Sequence, residues 1–203
     1  MAKQTYKYVE NQSILYGEVD QYELTTHEYN KIYNFYVTYS ICGKQSMKKR
    51  SLTDYGWENN SIVNSGAKNK LESILKLDEN YNFIFTYEDN LKKSFSDVSL
   101  EDGQIIDFHP ERAAIGKTKE SNKYFKLFYR IRNGLAHGRF ILRYNSLGEK
   151  MVLIQDNDTH NVTARIVLKL ETILRFIDAI DKNESIPRFE EGLSMTSKGL
   201  VLI

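Results

Sequence analysis

The chain has 203 residues, 41% hydrophobic and 27% charged, and this composition is typical of one globular domain. Its formal net charge of +1 excludes a basic field over the whole surface, so a nucleic-acid site would have to be a local patch. The single cysteine excludes an internal disulfide and a zinc site built from cysteines. No apolar run reaches membrane-spanning length and no signal-peptide core is visible, so we expect a cytoplasmic protein without membrane contact.

We expect residues 1–120 to form an N-terminal helical part of uncertain role that packs on the same core as the rest of the chain. A short strand is expected at Ser13–Tyr16. Thr25 and Glu28 have the spacing of a capping box, and this start predicts a helix that ends at Gly43. The aromatic stripe of that helix is expected in the core or at an interface, in preference to a base-stacking surface. The stripe consists of Tyr29, Ile32, Tyr36 and Tyr39.

The middle of the chain has weaker patterns. Residues 44–60 break the helical period and include a basic run, Lys48–Arg50, which is either a phosphate-binding loop or, more commonly, a solvated loop. A helix is predicted from Ser65 to Leu77. From Tyr81 to Phe95 the apolar residues fit both a strand and a helix, and the helix is favoured in an α-rich chain. His109 has no second ligand at helical spacing, so we expect no metal site, and no cofactor.

The segment from Lys123 to Phe140 carries most of the chemical information. Its apolar residues recur every three or four positions and predict a helix with one buried face. They are Tyr124, Phe128, Ile131 and Leu135. Ser121 is a suitable N-cap and Gly138 a suitable stop, while Gly134 is expected to weaken or kink the last turns.

Five polar side chains lie near the end of this predicted helix: Arg130, Arg132, Asn133, His137 and Arg139. An imidazole exchanges protons near neutral pH, and a guanidinium offers a planar fork that fits two phosphate oxygens. An amide fixes the tautomer of the imidazole or holds a substrate oxygen. Together these groups suit attack of an RNA 2′-hydroxyl on its neighbouring phosphate, a scheme that requires no metal ion.

Two strands and a long helix are predicted after this segment. Phe140–Tyr144 and Met151–Gln155 predict a β-hairpin. Residues 156–160 predict a polar turn that caps the next helix. Apolar residues at alternating steps of four and three predict that helix from Thr163 to Asp181, antiparallel to the first, with the hairpin projecting between them. From 183 to 203 we expect an irregular tail with a docked apolar end.

The string RNGLAH at 132–137 resembles the R-x4-6-H signature of HEPN domains (higher eukaryote and prokaryote nucleotide-binding), with a polar residue after the arginine. With the hairpin and helix that follow, the segment 121–182 resembles a bacterial subgroup from mobile elements and host defence. The resemblance implies a mainly α fold, a HEPN-like helical bundle with a β-hairpin insertion after the motif helix. It also implies a homodimer with two motifs across one cleft.

The same resemblance implies a metal-independent endoribonuclease that acts as a toxin or as an abortive-infection effector in phage defence. Arg132 and His137 would be catalytic and Asn133 their polar helper, and we expect Arg130 or Arg139 to guide the RNA. An antitoxin or other regulatory partner is a further expectation.

Two other interpretations remain open for the same residues. In the first, the cleft is a catalytically silent module that holds a nucleotide or a protein partner. In the second, the protein is structural or an adaptor, His137 caps a helix end, and the arginines form a solvated face with buried stems. In that case Arg132 and His137 should diverge in space.

Overall fold

A computed structural model describes residues 21–42, 48–101, 110–116, 122–158, 161–184, 193–196 and 199–202. The predicted strand at Ser13–Tyr16, the helix stop at Gly43, His109 and the N-cap at Ser121 lie outside these residues. The helices are α1 (Thr26–Tyr33), α2 (Ala67–Glu72), α3 (Leu91–Asp97), α4 (Lys123–Ala136) and α5 (Leu170–Ile180). The strands are β1 (Phe83–Thr86), β2 (Arg112–Gly116), β3 (Phe140–Tyr144), β4 (Lys150–Asn157), β5 (Val162–Lys169), β6 (Leu193–Thr196) and β7 (Gly199–Leu202).

The described residues form a mixed α/β fold, so the prediction of a mainly α bundle is wrong. Five strands form one sheet in the order β1-β2-β5-β4-β3. β1 and β2 are parallel, and every other neighbouring pair is antiparallel. β6 and β7 pair with each other in the region predicted to be an irregular tail.

The largest error concerns the helix predicted from Thr163 to Asp181, because its first half is strand β5. The residues from Thr163 to Leu168 are all buried. A strand buried on both faces has no alternation of apolar and polar residues, so its pattern resembles that of a buried helix. The β-branched content of this stretch was the signal in favour of a strand. From Leu170 onward the predicted helix is confirmed as α5.

Predictions that depend on residues close together in the sequence were more accurate. The hairpin is confirmed, with Phe140 paired to Ile154 and Tyr144 to Lys150. The capping box at the start of α1 is confirmed, because the Thr25 side chain accepts from the Glu28 N–H and the Glu28 carboxylate accepts from the Thr25 N–H. The helix favoured for residues 81–95 is wrong over β1 and correct over α3.

Helices cover both faces of the five-stranded sheet. One face packs against α4 and α5, the other packs against α3, and α1 and α2 pack against α5 within the same core as α4. The core on the α4 and α5 side of the sheet is called the first core, and the core on the α3 side is called the second. Adjacent residues of β4 point to opposite faces, as strand geometry requires, so Val152 and Ile154 belong to the first core and Met151 and Leu153 belong to the second. The hairpin is therefore part of the sheet beneath the helices and does not project between them. α4 and α5 touch through the Phe128 and Phe176 rings, whose centroids are 5.5 Å apart.

The N-terminal aromatic residues belong largely to the first core. A π-helical turn, Asn34–Thr38, follows α1 and packs against α4. Ile32 and Tyr36 of the predicted stripe are buried, and the Tyr36 hydroxyl donates to the Ile173 carbonyl. The core interpretation is thus confirmed for these two residues. Within the described ranges, no helix combines the length and hydropathy that a membrane span requires.

Candidate functional site at the end of helix α4

Helix α4 is fixed at both ends by residues that its sequence provides. At the start, the Asn122 side-chain oxygen accepts hydrogen bonds from the backbone N–H groups of Tyr124 and Phe125, at 2.9 and 3.2 Å. The predicted apolar face is confirmed, since Tyr124, Phe128, Ile131 and Leu135 are all buried. The helix ends at Ala136, and Gly138 follows in the left-handed conformation, with φ +64°.

Gly134 lets the end of α4 lie directly on strand β4. A Cβ atom at this position would overlap the Ile154 Cγ2 methyl and lie 3.1 Å from the Gln155 carbonyl oxygen. The backbone N–H of Gln155 also donates to the Arg139 carbonyl at 3.0 Å. The glycine that was expected to weaken the helix therefore serves close helix–sheet packing, and the helix runs through it.

Asp156 of β4 is the centre of a buried polar network under this helix end. Its Oδ2 accepts from Arg130 Nη1 at 2.7 Å, and the two side chains are 2% and 9% exposed. The same Arg130 nitrogen donates to Thr163 Oγ1 at 2.7 Å, while Arg130 Nη2 donates to the Gly116 carbonyl at 3.1 Å. These bonds join α4 to β2, β4 and β5. The burial of Arg130 argues against its expected role in binding RNA.

Asn133 connects the buried network to Arg132. Its Nδ2 donates to Asp156 Oδ2 at 3.2 Å, and its Oδ1 accepts from Arg132 Nη1 at 3.0 Å. The amide is therefore fixed from one side by a buried carboxylate, and it positions the Arg132 guanidinium on the other. Arg130, Arg132 and Asn133 are brought together as one chain of hydrogen bonds.

His137 and Arg139 occupy the more accessible part of the site. The His137 side chain is exposed, and its link to the network is its backbone N–H, which donates to the Asn133 carbonyl at 3.1 Å. Among the described residues, no side-chain hydrogen bond joins the imidazole to Arg132 or Asn133. Arg139 is half-buried and donates from Nη1 to the Asn157 carbonyl at 3.3 Å.

Sequence reasoning missed the residue that organises the site. Asp156 was assigned to a polar turn, but it lies inside β4 and is 1% exposed. The available signal was Arg130, which lies between the inward-facing Phe128 and Ile131 of a predicted helix. A buried arginine requires an acidic or carbonyl partner, and an acidic residue next to an apolar strand was a candidate.

Cys42 is a buried cysteine whose thiol pKa is affected by burial and by positive charges. Burial raises the pKa of its thiol to about 12, against the opposing effects of the Ser40 hydroxyl and of the positive charges of Arg132 and Lys49. Burial therefore disfavours the thiolate, and Cys42 is a neutral thiol in the core.

A scan of protein-family models, a search of curated proteins and a search of solved structures find no match to this chain. Among the residues described, no group of three or more His, Cys, Asp or Glu side chains is placed to hold a metal ion.

Proposed function

We propose that the protein is a metal-independent endoribonuclease whose site is the C-terminal end of α4. The observation that carries this proposal is the hydrogen-bond chain from Asp156 through Asn133 to Arg132. This chain holds a guanidinium near the end of α4, five residues before the exposed His137. A pre-positioned cation and an accessible imidazole on the same helix end suit phosphoryl transfer.

In the proposed reaction, His137 removes the proton from an RNA 2′-hydroxyl as its oxygen forms a bond to the adjacent phosphorus. Arg132 stabilises the negative charge that develops on the non-bridging phosphate oxygens. The bond from phosphorus to the 5′-oxygen then breaks, and the leaving oxygen takes a proton from an acid. The products are a 2′,3′-cyclic phosphate and a 5′-hydroxyl end. Arg139 is the substrate-binding residue, because Arg130 is occupied by Asp156.

Among the residues that the structure describes, one imidazole lies at this site, whereas the reaction uses a base and an acid. A homodimer with its two-fold axis near His137 supplies the second imidazole from the other copy. In a bacterial cell, such an enzyme would act as a toxin or as a defence effector, and its expression would arrest growth.

The test uses purified protein, tRNA and total RNA in excess chelator. We expect His137→Ala and Arg132→Ala each to lower the cleavage rate by about 10²–10⁴-fold, the usual contribution of a proton-transfer group or a charge-stabilising donor. Lys93→Ala is the matched control, because Lys93 is exposed on α3 at the opposite face of the sheet. Circular dichroism verifies that each variant is folded. Cleavage retained by both site variants rejects the assignment.

A catalytically silent binding module is the second candidate function. It is favoured by the hydrogen bonds of Asn133, because both ends of its amide are already used within the protein and neither orients the imidazole. This candidate requires wild-type protein to bind a nucleotide or RNA without yielding product, and Arg132→Ala to abolish that binding. A cyclic-phosphate product from wild-type protein excludes it.

A further inference from the structure

A second group of cations lies on the basic run at residues 48–50. Lys48 and Lys49 are exposed, and Arg50 is half-buried. The backbone N–H of Lys48 donates to the Thr38 carbonyl at 3.1 Å, and that of Arg50 donates to the Ser40 carbonyl at 3.3 Å. These bonds attach the run to the chain that follows the π-helical turn, so the cations are held in place at the surface.

Two tyrosine rings contact two of these three cations, Lys48 and Arg50. Lys48 Nζ lies 5.8 Å from the centroid of the Tyr39 ring, and Arg50 Cζ lies 4.5 Å from the same centroid. Arg50 Cζ also lies 5.5 Å from the centroid of Tyr55, whose hydroxyl donates to the Tyr39 carbonyl at 2.8 Å. Cation–π contacts keep the positive charge in place without neutralising it. The run is therefore more ordered than a free solvated loop.

The basic run and the end of α4 are linked through the π-helical turn. This turn precedes the run and packs against α4, with the Tyr36 and Phe128 ring centroids 6.0 Å apart. Arg132 follows Phe128 by one helical turn on the same side of α4. Asp54 partly offsets Arg50. No carboxylate of the described residues forms an ion pair with Lys48 or Lys49, so these two charges are available to an external anion.

We propose that Lys48 and Lys49 form, with Arg132, a basic strip that binds the phosphodiester backbone of single-stranded RNA and guides the strand to His137. The choice of RNA as the polymer rests on the proposed function. A single strand is required because in-line attack by the 2′-hydroxyl needs a backbone free to rotate, which a duplex restricts. A local strip also explains how a chain of net charge +1 attracts a polyanion.

The experiment measures binding and cleavage separately. Binding of a fluorescent 2′-O-methyl oligouridine is followed by fluorescence anisotropy at several salt concentrations. This oligonucleotide cannot be cleaved, because it has no 2′-hydroxyl that could attack the phosphate. The variant is Lys48→Ala/Lys49→Ala, and the matched control is Lys92→Ala/Lys93→Ala, an equally exposed lysine pair on α3. Cleavage of unmodified RNA is assayed in parallel for all proteins and for His137→Ala.

We expect the Lys48/Lys49 variant to bind on the order of tenfold more weakly at about 0.1 M salt. Its plot of log affinity against log salt should be shallower by about 1.4, since each single-strand phosphate contact contributes about 0.7. The control pair should match wild type. Equal losses in both variants, or no loss in either, overturn the strip. If binding depends on Lys48 and Lys49 but no protein cleaves RNA, the basic strip is supported and the proposed nuclease activity is overturned. If cleavage depends on His137 but is unaffected by the lysine substitutions, the nuclease activity is supported and the basic strip is overturned.

Discussion

The polar side chains in and just after the last turns of α4 divide into a buried group and an accessible group that differ in hydrogen bonding. Arg130 is nearly enclosed and bonded to a carboxylate, a hydroxyl and a carbonyl. Arg132, two positions later, is half-buried, and its Nη1 donates a hydrogen bond of 3.0 Å to the neighbouring Asn133 side-chain oxygen. Helical rotation by about 200° over two residues places the two arginines on different sides of the helix.

A few neighbouring residues thus combine contacts that anchor the helix with polar groups that remain accessible. Asn133 and Gly134 belong to the anchoring group, because one bonds Asp156 and the other permits contact with Ile154. His137 belongs to the accessible group. If this division is correct, substitutions in the first group lower stability, whereas substitutions in the second lower activity in a folded protein.

The largest effect on stability is expected from Arg130→Ala, which leaves Asp156 buried without its charge partner. We expect a loss of about 3–5 kcal/mol in the free energy of unfolding, measured by urea denaturation. Lys76→Ala is the control, since Lys76 pairs with Glu79 at the surface and its loss should cost below about 1 kcal/mol. The double variant Arg130→Ala/Asp156→Ala should recover part of the loss. A cost for Arg130→Ala as small as that of the control would remove the distinction between the two groups.

A smaller loss is expected from Gly134→Ala, at about 1–3 kcal/mol, because the new methyl group overlaps Ile154. Alanine is intrinsically a better helix former by about 1 kcal/mol, so a stabilised variant would show that α4 does not depend on this close contact. The control is the same change in an Ile154→Ala background, which removes the overlapping Cγ2 atom. There the added cost of Gly134→Ala should fall, as thermal unfolding of the four proteins of the cycle would reveal.

The smallest effect on stability is expected from Arg139→Ala, which removes one 3.3 Å hydrogen bond to the Asn157 carbonyl. The cost should be about 0.5–1 kcal/mol. Because we propose that Arg139 binds the substrate, KM for RNA should rise severalfold while kcat stays near wild type. A fall in kcat with unchanged KM would instead place Arg139 in the chemical step.

The features that could be predicted from sequence depend on neighbours within a few residues. The capping box at Thr25 and Glu28, the hairpin of β3 and β4, and the buried stripe of α4 follow from short spacings and were confirmed. β1 was missed because four residues between short turns carry too little pattern to exclude a helix. Within the candidate site, the types and spacing of the residues were visible in the sequence, but their division into buried and accessible groups was not.

Local sequence patterns are sufficient to predict the amphipathic helix α4, its polar C-terminal end and the hairpin after it, because backbone propensity and periodic burial act over a few residues. The strand at residues 162–169, between β2 and β4, depends on the fold as assembled, since strand pairing links residues far apart in the chain. The same long-range pairing brings Asp156 and Thr163 under Arg130. A buried guanidinium needs partners, and which residues supply them depends on the fold as a whole.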